Sequence, residues 1–197
     1  MNRKPHIYLA GPEVFLPNAL EVADQKKRIC ADHGLTGVFP LDADLTRPID
    51  ATDPEFASII SASNENLMRR CDAIIANCTP FRGTGMDAGT AFELGFMRAL
   101  GRPCFGYSNV PGDYAERARL YRAQNPDFPF EGDPPGTEIE DFGLPENLMI
   151  ACAIDANGTG LITPDTSDAP NARQTTFADL TQFQRCVAKT AMCLSSR

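Results

Sequence analysis

The chain has 197 residues, 43% of them apolar, and a formal net charge of −8. That length suits one domain, and that apolar share can bury a real core. The acidic balance, with no run of five Lys or Arg, disfavours nucleic acid as a partner, because polyphosphate binding needs a basic face.

His6 to Ala10 is a short apolar run closed by Gly11-Pro12, the pattern of a buried strand that ends in a turn. Asn18 to His33 predicts a helix with Leu20, Ala23 and Lys27 on one face and Gly34 as its stop. Leu35 to Pro40 reads as a second strand. Asp53-Pro54-Glu55 starts a second helix, with Asp53 as N-cap and Pro54 at the first helical position. Phe56, Ile59, Ile60 and Leu67 follow at helical spacing up to Arg70.

Asp72 to Asn77 is a third strand, apolar enough to be buried on both faces. A loop from Cys78 to Gly89 leads to a helix from Thr90 to Leu100, and Pro103 to Tyr107 is a fourth strand. Residues 108–146 break the rhythm: they are rich in Pro, Gly, Asp and Glu, and a lid-like insertion is expected there. Leu148 to Ile154 and Gly160 to Ile162 are read as a fifth strand in two pieces. Thr176 to Cys193 closes the chain as a helix with Phe177, Leu180, Phe183, Val187 and Ala191 on one face.

Alternation of this kind predicts a single-domain, doubly wound α/β fold spanning 1–197. About five mainly parallel strands carry helices on both faces, in the flavodoxin-like or Rossmann-like manner. Ligands of such sheets bind at the carboxyl ends of the strands. That draws Gly11 to Phe15, the residues after Pro40, loop 78–89 and the segment after Tyr107 around one crevice.

The seven cysteines are odd in number, scattered and without a CxxC, so buried free thiols are expected. Met1 to His6 runs straight into a strand without a signal-peptide core, and no 18-residue apolar stretch occurs. A cytoplasmic chain without a membrane span is expected. His6 and His33 neighbour no Cys or Ser in a recognisable pattern, so they suit surface or capping roles, and no metal site is expected.

The stretch from Pro80 to Gly95 concentrates chemistry. Gly83, Gly85 and Gly89 permit close approach to a ligand, Asp87 ends the loop, and Glu93 follows six residues later. Two carboxylates at one strand-to-helix corner suit glycosidic chemistry, one attacking the anomeric carbon and one handling protons or holding the sugar. Spacing equally allows a bland reading. Thr90-x-x-Glu93 fits a capping box, and Asp87 could simply favour the positive end of the helix dipole. Neither GxxxxGK[ST] nor GxGxxG occurs, so a phosphate loop is poorly supported.

Four pieces in order carry a resemblance: Ile7-Tyr8-Leu9-Ala10-Gly11-Pro12, Cys71-Asp72-Ala73-Ile74-Ile75-Ala76, Asp87-x-Gly89-Thr90-Ala91-Phe92-Glu93-Leu94-Gly95, and Phe142-Gly143-Leu144-Pro145-Glu146-Asn147-Leu148-Met149. Together they resemble the nucleoside 2-deoxyribosyltransferase family. With Thr79-Pro80-Phe81-Arg82-Gly83 added, the chain is most similar to its kinetoplastid-type branch.

The resemblance implies that Glu93 is the nucleophile, forming a covalent deoxyribosyl ester, and that Asp87 helps place the sugar. It implies that Tyr8, Gly11 and Phe15 wall the pocket, with Gly89 and Met149 among the substrate contacts. Asn147 matches a residue that reaches a neighbouring subunit's site, which implies a homo-oligomer. Asn64 stands where some members carry a base-protonating Asp; it is no acid and can only hydrogen-bond the substrate. Asp44 stands where some members carry a base-reading glutamine. Asp87, Asp44 and water are the candidate proton donors. The implied substrates are nucleosides and free nucleobases, and no cofactor is needed.

Two other readings compete. A hydrolase of the same fold would hand the sugar to water, and its nucleotide-specific members bind a 5′-phosphate after the first strand. From Tyr8 to Gln25 there is no Lys, Arg, Ser or Thr, and Glu13 is expected to repel a phosphate. A non-catalytic nucleotide-sensing module is the other; the presence of Glu93 and Asp87 argues against it.

Overall fold

The structure is a computed structural model describing residues 3–43, 45–124, 136–165, 177 and 179–196. Four parallel strands, β1 (His6–Ala10), β2 (Thr36–Val38), β3 (Ala73–Asn77) and β4 (Cys104–Tyr107), form one sheet in the order β2-β1-β3-β4. The helices are α1 (Ala19–Asp32), α2 (Asp53–Arg70), α3 (Ala88–Ala99), α4 (Tyr114–Gln124), α5 (Leu148–Asp155) and α6 (Thr181–Ser195).

The strands are apolar along their length because both faces are covered. Ile7, Leu9, Ile75, Phe105 and Tyr107 pack with Ala23 and Cys30 of α1 and Phe183 and Val187 of α6. The alternate residues Tyr8, Ala10, Ile74, Ala76 and Cys104 pack with Met68 of α2, Leu94 and Met97 of α3, and Ile154 of α5. From β1 the chain moves outward to β2 and then returns to the other side of β1 as β3. The carboxyl ends of β1 and β3 therefore flank the point where strand order reverses, the usual ligand crevice of such sheets.

Four expectations need correction. The run Leu148 to Ile154 is not a strand but α5; the Asn147 side chain caps it by accepting from the Met149 N–H at 3.0 Å. A seven-residue apolar run is ambiguous by periodicity, and here the cap decides it. Gly106 of β4 lets this helix settle close, since a Cβ there would lie 2.5 Å from Ile154 Cδ1. Of the proposed second piece, Ile162 makes one isolated bridge to Tyr107.

The N-cap of α2 is Thr52 rather than Asp53: its N–H and hydroxyl both donate to Glu55 at 2.8 Å. The buried stripe of α1 runs through Ala19, Val22, Ala23, Lys26 and Cys30, whereas Leu20 is exposed. Lys26, not Lys27, faces inward, because a buried carboxylate waits for it. Segment 108–146 contains α4. The last helix begins at Thr181, so Phe177 precedes it, and Thr176 lies outside the described residues. Among the described residues, no helix is long and apolar enough to cross a membrane.

Candidate active site

Asp87, not Thr90, is the N-cap of α3. Its Oδ2 accepts from the Thr90 N–H at 2.9 Å and the Thr90 hydroxyl at 3.0 Å. The helix consequently starts at Ala88, two residues earlier than expected, and Glu93 falls in its second turn. Glu93 is thus free of any capping duty. Its Oε1 accepts instead from the Tyr8 hydroxyl at 2.6 Å, across 85 residues of sequence. Tyr8 is fully buried on β1, on the sheet face that α3 covers.

This environment tunes the carboxylate. Burial is the largest influence and pushes Glu93 up to about 7 from its ordinary 4.5; the Tyr8 hydrogen bond pulls it down, and the Asp87 charge raises it again. Burial and the neighbouring Glu93 charge push the Tyr8 phenol well above its ordinary value, so it stays a donor.

Glu93 lines a cavity of about 520 Å³ with Gly11, Phe15, Asn64, Asp87, Gly89 and Thr90. Every predicted site residue on the first strand's turn, the second helix and the third helix except Tyr8 opens directly onto it. The opposite wall is apolar: Pro40, Leu41, Ala43, Leu45, Phe56 and Ile60. Phe56 and Ile60 have the helical spacing of a packed face. Instead Ile60 is 38% exposed, and only Met68 of α2 is buried. Their apolar character belongs to the cavity. At this end Asn64 Oδ1 is buried and has no hydrogen-bond partner among the described residues, the state of a group that awaits a ligand. The lining contains no Lys or Arg among the described residues.

Gly11 is required by space. A Cβ there would lie 1.9 Å from Glu13 Oε2 and 2.9 Å from Asn77 Cβ. Phe15 is half-exposed at the mouth and stacks on Phe81, with centroids 5.6 Å apart. Asp44 lies outside the described residues. Asn147 and Met149 are not among the described lining of this cavity. Asn147 caps α5 and donates to Glu140 Oε2 at 2.9 Å. Met149 is exposed and borders a separate cavity of about 480 Å³ between α3 and α5. The described parts of 108–146 do not line the Glu93 cavity either.

Glu13 does not face a ligand. Its Oε1 accepts from Lys26 Nζ at 2.7 Å, Tyr107 OH at 2.9 Å and Asn77 Nδ2 at 3.0 Å, with the side chains of Glu13 and Lys26 both fully buried. Burial alone would raise its carboxyl, but the Lys26 charge and the hydrogen bonds outweigh it and hold the group below its ordinary value. A neutralised, inward carboxylate cannot repel a phosphate at the mouth, contrary to the expectation from sequence.

The sequence profile of the nucleoside 2-deoxyribosyltransferase family matches residues 7–149, which include every site residue above. The chain belongs to this family. A 2-deoxyribosyltransferase from Leishmania mexicana is 31% identical, covering 74% of this chain and 85% of its own, with a TM-score of 0.56. An uncharacterized protein of Schizosaccharomyces pombe is 36% identical over 191 residues, 91% of this chain and 90% of its own. A conserved protein from Enterococcus faecalis, 17% identical, shares the fold over 95% of this chain and 99% of its own, with a TM-score of 0.51. As a nucleoside 2-deoxyribosyltransferase family member the chain is an enzyme of nucleosides and nucleobases.

Sequence reasoning missed the apolar slot and the Glu13–Lys26 pair. The second had a visible signal: Lys26 sits three residues after Ala23 and four before Cys30, a lysine on an apolar helix stripe that only a buried partner permits.

Proposed function

We propose that the protein transfers the 2-deoxyribosyl group between nucleobases by double displacement at Glu93. The observation that carries this reading is the 2.6 Å Tyr8–Glu93 hydrogen bond at the edge of a nucleoside-sized cavity. Tyr8 fixes Oε1, which leaves Oε2 for attack. Glu93 Oε2 bonds to C1′, the C1′–N bond breaks through an oxocarbenium-like transition state, and its electron pair leaves with the base. The leaving nitrogen takes a proton from Asp87, Asp44 or water; Asn64 has none to give. A second base then attacks C1′ of the ester, its N–H proton returns to the group that protonated the first base, Glu93 departs as carboxylate, and configuration is retained overall.

The apolar slot suits a flat base and Asn64 offers it an amide. Asp87 stands beside Glu93 on the sugar side. Two carboxylates and no cation along the described lining favour an unphosphorylated substrate. Asn147 and Met149, turned away from their own chain's cavity, suit service to a neighbouring subunit in a homo-oligomer. The seven thiols are unpaired, which suits salvage in a reducing, cytoplasmic setting.

The test is base exchange. Incubation with a 2′-deoxynucleoside and a different free base should yield the exchanged nucleoside, and Glu93→Ala should abolish it without unfolding the chain. Free deoxyribose as the main product, with or without acceptor base, would favour the hydrolase reading instead.

A further inference from the structure

We propose that Glu13 is a positioning residue that sets both polar walls of the nucleoside cavity, acting through Gly11 on one side and the Thr79–Asp87 loop on the other. The inference rests on the reaction proposed above. The Glu13 carboxylate sits below the crevice, where the carboxyl ends of β1, β3 and β4 converge. One oxygen collects three donors, each from a different element: Lys26 of α1, Asn77 at the end of β3 and Tyr107 at the end of β4. The other oxygen, Oε2, is buried without a hydrogen-bond partner among the described residues.

Both walls are tied to this carboxylate. Gly11 is wedged between the Glu13 carboxylate and Asn77 so tightly that a Cβ would overlap the first. Gly11, Val14 and Phe15 of the same turn line the cavity. On the other side, Asn77 Oδ1 accepts the Thr79 N–H at 3.0 Å, and the Thr79 hydroxyl accepts the Asn109 N–H at 2.9 Å. Thr79 opens the loop that ends at Asp87. Displacing the carboxylate therefore moves the turn under the substrate and the root of the loop that holds the second acid.

A buried ion pair is a poor device for stability alone, because apolar residues of similar volume often replace it without loss. What an apolar pair cannot do is accept three hydrogen bonds at one point and so tie the ends of β3 and β4 to α1. Glu93 and Tyr8 are outside this network, so loss of Glu13 should disturb substrate placement more than the chemistry at Glu93.

Three variants test this by steady-state exchange kinetics. Glu13→Leu with Lys26→Met should fold, raise KM for the deoxynucleoside at least about tenfold and leave kcat within about threefold. Glu13→Gln with Lys26→Met keeps the acceptor and removes both charges, and should return KM to within about threefold of wild type. Wild-type KM in the Leu/Met pair, or equal KM increases in both pairs, would overturn the inference. If the Leu/Met pair does not fold, Tyr107→Phe decides, since it deletes one donor and keeps the ring; an unchanged KM there would overturn the inference. The same comparison of dissociation constants by calorimetry in a Glu93→Gln background needs no turnover. A wild type that exchanges no base would thus refute the proposed reaction, while altered or unaltered binding in that background judges the positioning role separately.

Discussion

Glu93→Gln should make the protein more stable at pH 8 and leave its stability almost unchanged at pH 4. The wild-type carboxyl is pushed up to about 7 in the folded chain from an ordinary 4.5, chiefly by burial. The folded state therefore holds this proton more tightly than the unfolded state does. The contribution to stability is fully present below the unfolded value and is lost as pH rises through the folded value near 7. A rise of that size corresponds to a ceiling of about 3 kcal/mol. Glu93 is only partly enclosed, and solvent screening lowers the expected figure toward about 2 kcal/mol. Glutamine keeps the shape and carries no charge, so it escapes this loss. For a chain of this length, thermal melts should show Glu93→Gln roughly 4–10 °C above wild type at pH 8, with the gap closing toward pH 4. The same variant should be inactive, a trade of stability for function common at active sites. Melting curves followed by circular dichroism at several pH values decide it. A gap that does not change with pH would refute the buried, destabilised carboxylate on which the chemistry rests.

Other predictions concern the partners of Glu93. Tyr8→Phe deletes the hydrogen bond that lowers the Glu93 value, so the acid limb of the pH–rate profile should move to higher pH and kcat should fall about tenfold. Asp87→Ala removes the charge that raises Glu93, so the same limb should move to lower pH; loss of the α3 cap should also cost about 1 kcal/mol of stability in denaturant titrations. Limbs that shift the same way in both variants would contradict the electrostatic account. Mixing inactive Glu93→Ala chains with Asn147→Ala chains should restore part of the activity, because each supplies what the other lacks at a shared site. No recovery in verified mixed oligomers would place Asn147 outside its neighbour's site.

Much of this arrangement could be read from sequence because the fold uses contiguous signals. Four apolar runs alternate with helical stretches, and the turn after each strand carries its functional residues nearby: Gly11 and Phe15 after β1, Asp87 and Gly89 after β3. What could not be read depended on which of several partners the fold brings together. Leu148 to Ile154 is apolar enough for either state, and only the Asn147 cap and the space over Gly106 make it a helix. Phe56 and Ile60 have the spacing of core residues, and only the position of α2 beside the crevice turns them into a ligand wall. Glu93 at first fitted a capping box with Thr90. The structure gives the cap to Asp87 and frees Glu93 for Tyr8, a pairing that no local spacing encodes. Glu13 is the clearest case: an acidic residue in a loop reads as exposed until Lys26, Asn77 and Tyr107 are brought around it.

The most direct test of the central claim is the mass of the protein after incubation with a 2′-deoxynucleoside alone, followed by acid quench. Wild type should gain one 2-deoxyribosyl group, located by peptide sequencing on Glu93 and discharged by adding a free base, and Glu93→Ala should gain none. An adduct on another residue, or brisk base exchange with no adduct under rapid quench, would contradict Glu93 as the nucleophile.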